Sequence, residues 1–124
     1  MNIKISGIGS YIPEKSISNT DFSNHVFLNE DGSPFGYPNE VVVNKFKSIT
    51  GIENRRYAND QYTSSDLGYF AAKRAIINAN IDPETIDYII FAHNFGDVKH
   101  GTIQSDMLPS LATRVKHKLQ IQNP

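Results

Sequence analysis

The sequence predicts an α/β fold, and three segments carry that prediction. Residues 2–8 alternate apolar and polar side chains, which is typical of a strand with one buried face. Residues 87–92 form a nearly continuous apolar run, which is typical of a central parallel strand covered by helices on both faces. Residues 64–79 lie between them and predict a helix, which would be the crossover that connects two parallel strands.

The helix over residues 64–79 has the clearest start signal in the chain. Thr63 can cap it, and Asp66 at the third helical position can accept a hydrogen bond in return. Small residues gather on one side of this helix, where a neighbouring backbone could approach closely: Gly68, Ala71, Ala72, Ala75 and Ala79. We therefore interpret the helix as buried architecture and assign it no chemistry.

Shorter elements account for the rest of the chain. A short helix is expected to follow Asn19, whose side chain can cap it, and to end at about Leu28. Residues 29–39 are dense in Gly, Pro, Asn and Asp and predict a loop, and residues 39–49 repeat apolar side chains at helical spacing. A last helix is expected to start at Pro109 and to end in a positively charged turn.

Two glycines follow the first predicted strand. Gly7 and Gly9 resemble the start of a dinucleotide-binding fingerprint, but the third glycine of that fingerprint is missing. Pro13 also falls where the phosphate-binding helix should begin. We therefore interpret the segment as a tight, close-packed turn.

The composition excludes several classes of function. The 124 residues, 39% of them hydrophobic, suit a single domain or part of a larger one. A net charge of −1 offers nucleic acid no electrostatic attraction. Without cysteine there is no disulfide or thiolate metal site, and the four histidines lack zinc-ligand spacing, so we expect no metal. No segment has the length and apolarity of a membrane span, and we expect a cytoplasmic protein.

The segment most suggestive of a binding site runs from residue 48 to residue 57. Gly51 stands where a helix end needs a residue that tolerates positive φ, and Ile52 then returns an apolar side chain to the core. Arg55 and Arg56 follow on a short loop, and guanidinium groups on loops are suited to phosphate or carboxylate. Alternatively, the two arginines are a surface pair whose positive charges balance nearby acidic residues.

His93 is a second candidate. It follows the predicted strand over 87–92, at the end of the strand where open α/β sheets bind ligands. It could act as a base, but no nucleophile is visible for it to activate, so we favour a structural or merely exposed histidine.

Five segments, and the order in which they follow one another along the chain, carry a family resemblance. They are Gly7-Ile8-Gly9-Ser10-Tyr11-Ile12-Pro13-Glu14, Thr50-Gly51-Ile52 with Arg55, residues 63–81, residues 87–92, and Pro109-Ser110. Together they resemble the amino-terminal part of the β-ketoacyl-acyl-carrier-protein synthase III family, in the thiolase-like superfamily. The resemblance implies that residues 1–124 are one incomplete thiolase-like domain, the N-terminal half of that fold. An insertion around residues 27–43 and a loop over residues 97–107 depart from the family.

The resemblance implies an acyltransferase that joins an acyl thioester to malonyl-carrier protein with loss of carbon dioxide, in fatty-acid or related lipid or polyketide synthesis. The family uses a Cys-His-Asn triad whose cysteine would lie shortly beyond Pro124, so the chain is expected to be truncated and inactive alone. None of its histidines matches the catalytic one. No cofactor is implied, since acyl-CoA or acyl-carrier-protein thioesters are substrates.

The resemblance also implies a substrate-binding set: Lys45, Ile49, Thr50, Gly51, Ile52 and Arg55. The family's coenzyme A entrance usually has a tryptophan five residues before the Thr-Gly-Ile motif and an arginine directly before it. Lys45 and Ile49 stand at those positions, which predicts poor priming by acetyl-CoA. Phe35 and Tyr37 lie in the insertion, and we expect them to pin the loop to the body of the protein.

Assembly and partners follow from the same resemblance. Family members form dimers, and the residue before the Pro-Ser pair reaches into the partner's acyl pocket, a position that Leu108 holds here. An acyl-carrier protein would be the second partner. Two alternatives stay open, a small α/β module that binds a partner through its loops and a catalytically silent subunit of a condensing enzyme.

Overall fold

The computed structural model describes residues 2–124. The chain divides into two compact units. The smaller unit is Pro13–Tyr57, and the larger unit combines Met1–Ile12 with Ala58–Pro124. In the described residues no helix is long and apolar enough to cross a membrane.

The smaller unit contains one helix and one two-stranded sheet. Strand β1 is Lys15–Ser18, helix α1 is Asn39–Thr50 and strand β2 is Asn54–Tyr57. The strands are antiparallel, with Lys15 opposite Tyr57 and Ser18 opposite Asn54.

Aromatic side chains form the interior of the smaller unit. The rings of Phe22 and Phe27 each meet the ring of Phe46 edge to face, with centroids 5.8 Å apart in both pairs. Val43 of α1 is buried as well. Edge-to-face packing adds to the stabilisation that comes from burying apolar area. The contacts of Phe46 therefore help to hold α1 in this unit.

The helix that the sequence predicts at Asn19 is much shorter than expected. It is a single 3-10 turn over Asn19–Phe22, and its N-cap is Ser18 rather than Asn19. The side chain of Asn19 instead donates a hydrogen bond to the carbonyl of Ile52, 2.8 Å away. Asn19 therefore makes a tertiary contact rather than capping a helix.

The larger unit is built on two helices. Helix α2 is Ser64–Ala79 and packs against helix α3, Leu111–Leu119. A 3-10 turn over Pro83–Thr85 and a small antiparallel pair, β3 (Asp97–Val98) and β4 (Ser105–Asp106), lie between them in the chain. The buried apolar side chains of this unit are Leu111, Val115 and Ile121.

The small-residue face of α2 receives neighbouring chain segments, as the sequence predicts. A Cβ on Gly7 would come within 2.6 Å of the Ala75 carbonyl oxygen, and one on Gly9 would overlap the helix backbone. A Cβ on Gly68 would overlap the Phe91 ring. Residues 2–12 and Phe91 therefore reach α2 only because these positions are glycines.

The parallel pairing predicted for residues 2–8 and 87–92 is not formed within residues 2–124. Both sheets there are two-stranded and antiparallel, and neither segment belongs to a strand. The first segment is bound to α2 instead, since the Ile8 N–H donates to Asn78 Oδ1 at 3.1 Å and Arg74 donates to the Ser10 carbonyl at 2.7 Å. The α/β class is confirmed, while the four strands that form are short and lie elsewhere in the chain than the two predicted strands.

Candidate functional site

The turn after α1 is held by its own backbone and one hydroxyl. Gly51 has φ 71°, and its N–H donates to the Lys47 carbonyl at 2.8 Å, which ends the helix. The Thr50 hydroxyl donates to the Phe46 carbonyl and accepts from the Ile52 N–H at 3.1 Å. The predicted glycine cap is therefore confirmed, and Thr50 fixes the direction in which the chain leaves the helix.

Arg55 lies against the aromatic interior of the smaller unit. Its guanidinium carbon is 5.6 Å from the Phe22 centroid and 5.2 Å from the Phe46 centroid. Nη1 also donates to Asn19 Oδ1. Cation–π contact with two rings and a hydrogen bond give this side chain a structural task, which is to hold β2 on the aromatic cluster.

The other cations near the turn have partners on the surface. Arg56 is exposed and donates to the Glu14 carbonyl at 3.0 Å. Lys47 pairs with Glu53, and its hydrogen bond and charge keep the pKa of the Glu53 carboxyl below its ordinary value. Arg55 is therefore half-buried against aromatic rings, and Arg56 lies at the surface against a backbone carbonyl rather than an acidic side chain, so these contacts match neither interpretation of the two arginines.

A cavity of about 240 Å³ opens on one face of α1, and we call it the Tyr37 cavity. Its lining residues are Phe35, Tyr37, Val41, Val42, Lys45, Phe46 and Ile49. The rings of Phe35 and Tyr37 lie 5.5 Å apart, and Lys45 Nζ is 5.6 Å from the Tyr37 centroid. The aromatic side chains of Phe35 and Tyr37 therefore line a cavity, which goes beyond the predicted task of pinning their loop to the body of the protein.

The sequence-predicted residues are divided between these features. Lys45 and Ile49 line the Tyr37 cavity, whereas Thr50, Gly51 and Ile52 form the turn. Sequence reasoning missed Val41, Val42 and Phe46 as cavity residues. Their helical spacing relative to Lys45 and Ile49 is the signal that could have found them, because residues three or four apart share a helix face.

Leu108 lies in the larger unit and is 83% exposed. Arg114 binds the backbone at this position. Nη2 and Nε of Arg114 donate to the carbonyls of Leu108 and Pro109, both at 2.8 Å. The same guanidinium pairs with Asp97 at 3.3 Å and Asp106 at 2.9 Å. The apolar side chain is therefore presented on a fixed backbone.

Asp97 anchors that arrangement, a role that no sequence pattern predicted. It is 4% exposed, and its carboxylate accepts from the backbone N–H of Ser65 at 2.8 Å and from the Ser65 hydroxyl at 2.7 Å. With Arg114 as a third partner, every buried charge in this group is paired.

His93 has a structural contact. Its Nδ1 accepts a hydrogen bond from the Gly96 N–H at 2.9 Å, which closes the turn before β3. Across residues 2–124 no group of three or more acidic, histidine or cysteine side chains is placed to hold a metal ion.

The structure is similar to that of a condensing enzyme. Over 97% of this chain and 30% of the other, it matches the crystal structure of the priming β-ketosynthase from the R1128 polyketide biosynthetic pathway, with a TM-score of 0.61 and 25% sequence identity. The fold is therefore a fragment of the thiolase-like fold.

Curated sequences of β-ketoacyl-[acyl-carrier-protein] synthase III enzymes are similar to this chain. The chain is 34% identical over 113 residues to the β-ketoacyl-[acyl-carrier-protein] synthase III of Staphylococcus aureus strain Newman, and equally to that of strain N315. Each match covers 91% of this chain and 32% of the relative, so the chain spans about a third of the length of the curated relatives it matches. No family model matches the sequence. The chain is a homologue of part of the β-ketoacyl-acyl-carrier-protein synthase III enzymes.

Proposed function

We propose that this chain is the N-terminal part of a condensing enzyme. The enzyme would take an acyl group from a thioester onto a cysteine and join it to malonyl-carrier protein with release of carbon dioxide. The observation that carries the proposal is the sequence similarity to synthase III over nearly the whole chain. The similarity of the fold to a priming ketosynthase agrees with it.

In this proposal the chain contributes substrate-binding residues but not the nucleophile. Covalent catalysis divides one difficult acyl substitution into two easier steps, and it needs a thiolate. The chain has no cysteine, so the nucleophile must come from outside residues 1–124. The chain would contribute the substrate entrance at Lys45, Ile49 and the turn over residues 50–52, together with Arg55 as the residue that holds β2 in place.

A covalent-labelling experiment tests this division of labour. The 124-residue chain and the longer protein that contains it are incubated with radiolabelled acyl-CoA and separated by denaturing electrophoresis. We expect a stable label on the longer protein and none on the chain. Stoichiometric labelling of the chain itself would refute the assignment.

Donor choice follows from the residues at the entrance. Lys45 offers a phosphate a point charge but neither an aromatic face nor a bidentate fork, and Ile49 offers neither charge nor hydrogen bond. In the longer protein we therefore expect acetyl-CoA to prime more slowly than an acyl-carrier protein or a longer acyl-CoA. Steady-state kinetics in which acetyl-CoA has the highest kcat/KM would contradict this expectation.

The same proposal includes a cytoplasmic enzyme that acts with an acyl-carrier protein and forms a homodimer. Leu108 would lie at the dimer interface, where an apolar side chain can enter a cavity without a polar group to satisfy. The exposure of Leu108 and the hydrogen bond that Arg114 donates to its carbonyl support this assignment.

A further inference from the structure

We propose that Arg114 is a positioning residue for Leu108, and that the hairpin formed by β3 and β4 fixes that arginine. The inference rests on the proposed function, in which the Leu108 side chain enters the acyl pocket of a neighbouring subunit. Arg114 touches no substrate in this arrangement. It acts on the choice of acyl chain only through the place that it gives to Leu108.

The guanidinium of Arg114 uses all three of its nitrogens. Nε donates to the Pro109 carbonyl and Nη2 donates to the Leu108 carbonyl, both at 2.8 Å. Nη1 lies 3.3 Å from Asp97 Oδ2, and Nη2 lies 2.9 Å from Asp106 Oδ1. One rigid planar group therefore binds two successive peptide carbonyls and two carboxylates at once, which fixes the direction of the backbone at Leu108.

The two carboxylates come from opposite strands of the hairpin. Asp97 in β3 and Asp106 in β4 are direct partners in the register of this antiparallel pair. Like charges directly opposite each other destabilise a strand pair, so the hairpin needs a cation at this position. Arg114 supplies it with a side chain that is only 20% exposed. The arginine therefore stabilises the hairpin, and the two carboxylates hold its guanidinium in return.

One of these carboxylates attaches the hairpin to helix α2. Asp97 is buried, and it accepts from the Ser65 N–H at 2.8 Å and from the Ser65 hydroxyl at 2.7 Å. Gly96 permits the close approach of the strands, since it has φ 74° and a Cβ there would lie 2.8 Å from the Asp106 carbonyl oxygen. Contacts therefore run from the first turn of α2 through Asp97 to the guanidinium and the carbonyls that it binds.

Balancing the two carboxylates would not by itself require an arginine. A lysine ammonium could balance their charge, but it is a compact point charge and cannot span two carbonyls and two carboxylates. Residues 107–109 belong to no helix or strand, and segments of this kind are the more mobile parts of a fold. Arg114→Lys therefore separates the two tasks, because it keeps the positive charge beside Asp97 and removes the paired hydrogen bonds to the backbone.

The first measurement is the backbone order parameter of Leu108 in the 124-residue chain, obtained from nuclear magnetic resonance relaxation of its amide. We expect a rigid value of about 0.85 in the parent chain and a value below about 0.6 in Arg114→Lys. Arg74→Lys is the matched control, because Arg74 donates to the carbonyl of Ser10 at 2.7 Å elsewhere in the same unit. It should leave the order parameter of Leu108 unchanged.

The second measurement is acyl-chain selectivity in the longer protein that contains residues 1–124, expressed as the ratio of kcat/KM for octanoyl and butyryl donors. One methylene in an apolar pocket changes kcat/KM about tenfold or more, so a mobile Leu108 should shift this ratio about tenfold toward the octanoyl donor in Arg114→Lys. A general loss of stability lowers kcat/KM for both donors alike and leaves the ratio unchanged. In a Leu108→Ala background, Arg114→Lys should shift the ratio less than about twofold, because the side chain through which it acts is gone.

The proposal is overturned if Arg114→Lys leaves the order parameter of Leu108 at the parent value, or leaves the donor ratio unchanged in an active enzyme. An equal shift in the Leu108→Ala background would also overturn it, since Arg114 would then act by another route. If the longer parent protein condenses no donor, the proposed function fails, and the order parameter alone decides whether Arg114 positions Leu108. Should Arg114→Lys not fold, Asp106→Asn loosens the same guanidinium through a half-exposed carboxylate and must lower the order parameter in the same direction.

Discussion

Gly9 marks the closest approach of the N-terminal segment to α2. A Cβ there would overlap the Ala75 nitrogen and the Ala71 carbonyl oxygen, which are backbone atoms that cannot rotate away. We expect Gly9→Ala to lower the free energy of unfolding by about 2 kcal/mol, the usual size of an overpacking penalty. Gly36→Ala is the control, since nothing lies within 4 Å of a Cβ at that position. Urea denaturation measures both, and equal midpoints would disprove the close packing.

Asp97 provides a second prediction at the residue scale. Asp97→Ala would leave the Ser65 hydroxyl and the Arg114 guanidinium without their buried carboxylate. Breaking a buried pair on one side costs about 3–5 kcal/mol. Asp106→Ala removes the other, half-exposed carboxylate from the same arginine and should cost about 1 kcal/mol or less. Comparable losses in chemical denaturation would mean that burial is not what distinguishes the two.

At the scale of one element, the start of α2 depends on Asp66. Its carboxylate accepts from the Thr63 N–H at 2.9 Å and from Lys118 Nζ at 2.7 Å, so it ties the first turn of α2 to the last turn of α3. Burial alone would raise the pKa of Asp66, but the hydrogen bonds from Lys118 and Thr63 outweigh it and leave that pKa below its ordinary value of 3.8.

Because this pKa is lower in the folded protein than in the unfolded chain, the free energy of unfolding depends on pH in the acidic range. The contribution of Asp66 is complete above the unfolded-state pKa of 3.8 and is lost as the pH falls through the lower folded-state value. We expect the free energy of unfolding to fall less steeply on acidification in Asp66→Asn than in the parent chain. Lys118→Met should show an intermediate slope. Urea titrations at a series of acidic pH values would contradict this if Asp66→Asn kept the parent slope.

Helices were predictable from the sequence and strands were not. The cap of α2 at Thr63, the end of α1 at Gly51 and the packing of small residues on α2 all follow from local chemistry, which acts within a few residues. Strand pairing depends on distant partners. Residues 87–92 have the composition of a strand but form no hydrogen-bonded pairing with another strand. Strands β1 and β2 do pair, although neither has a strong apolar pattern.

The candidate site divides in the same way. The turn over residues 50–52 was predictable because a glycine cap has a sequence signature. The α1 side of the Tyr37 cavity follows from helical spacing. The inward position of Arg55 depends on where Phe22 and Phe46 pack, and the Phe35 and Tyr37 side of the cavity depends on where the loop packs, which no local pattern predicts.

At the scale of the whole molecule, the exposed Leu108 predicts self-association. We expect the chain to sediment as a dimer and Leu108→Asp to shift it toward the monomer, because a carboxylate would have to be buried unpaired at the interface. Ile103→Asp is the control, since Ile103 is fully exposed and only five residues away. If parent and Leu108→Asp both run as monomers the dimer is absent, and if both remain dimers the interface does not depend on Leu108.

If this chain is part of a decarboxylating condensing enzyme, as we propose, the condensed product must form, and its detection is the decisive measurement. The longer protein that contains residues 1–124 is incubated with malonyl-acyl-carrier protein and an acyl donor, and the carrier-bound product is analysed by mass spectrometry. We predict a 3-oxoacyl product extended by two carbons, formed with release of carbon dioxide. Absence of that product with every acyl-CoA and acyl-carrier-protein donor would contradict the claim.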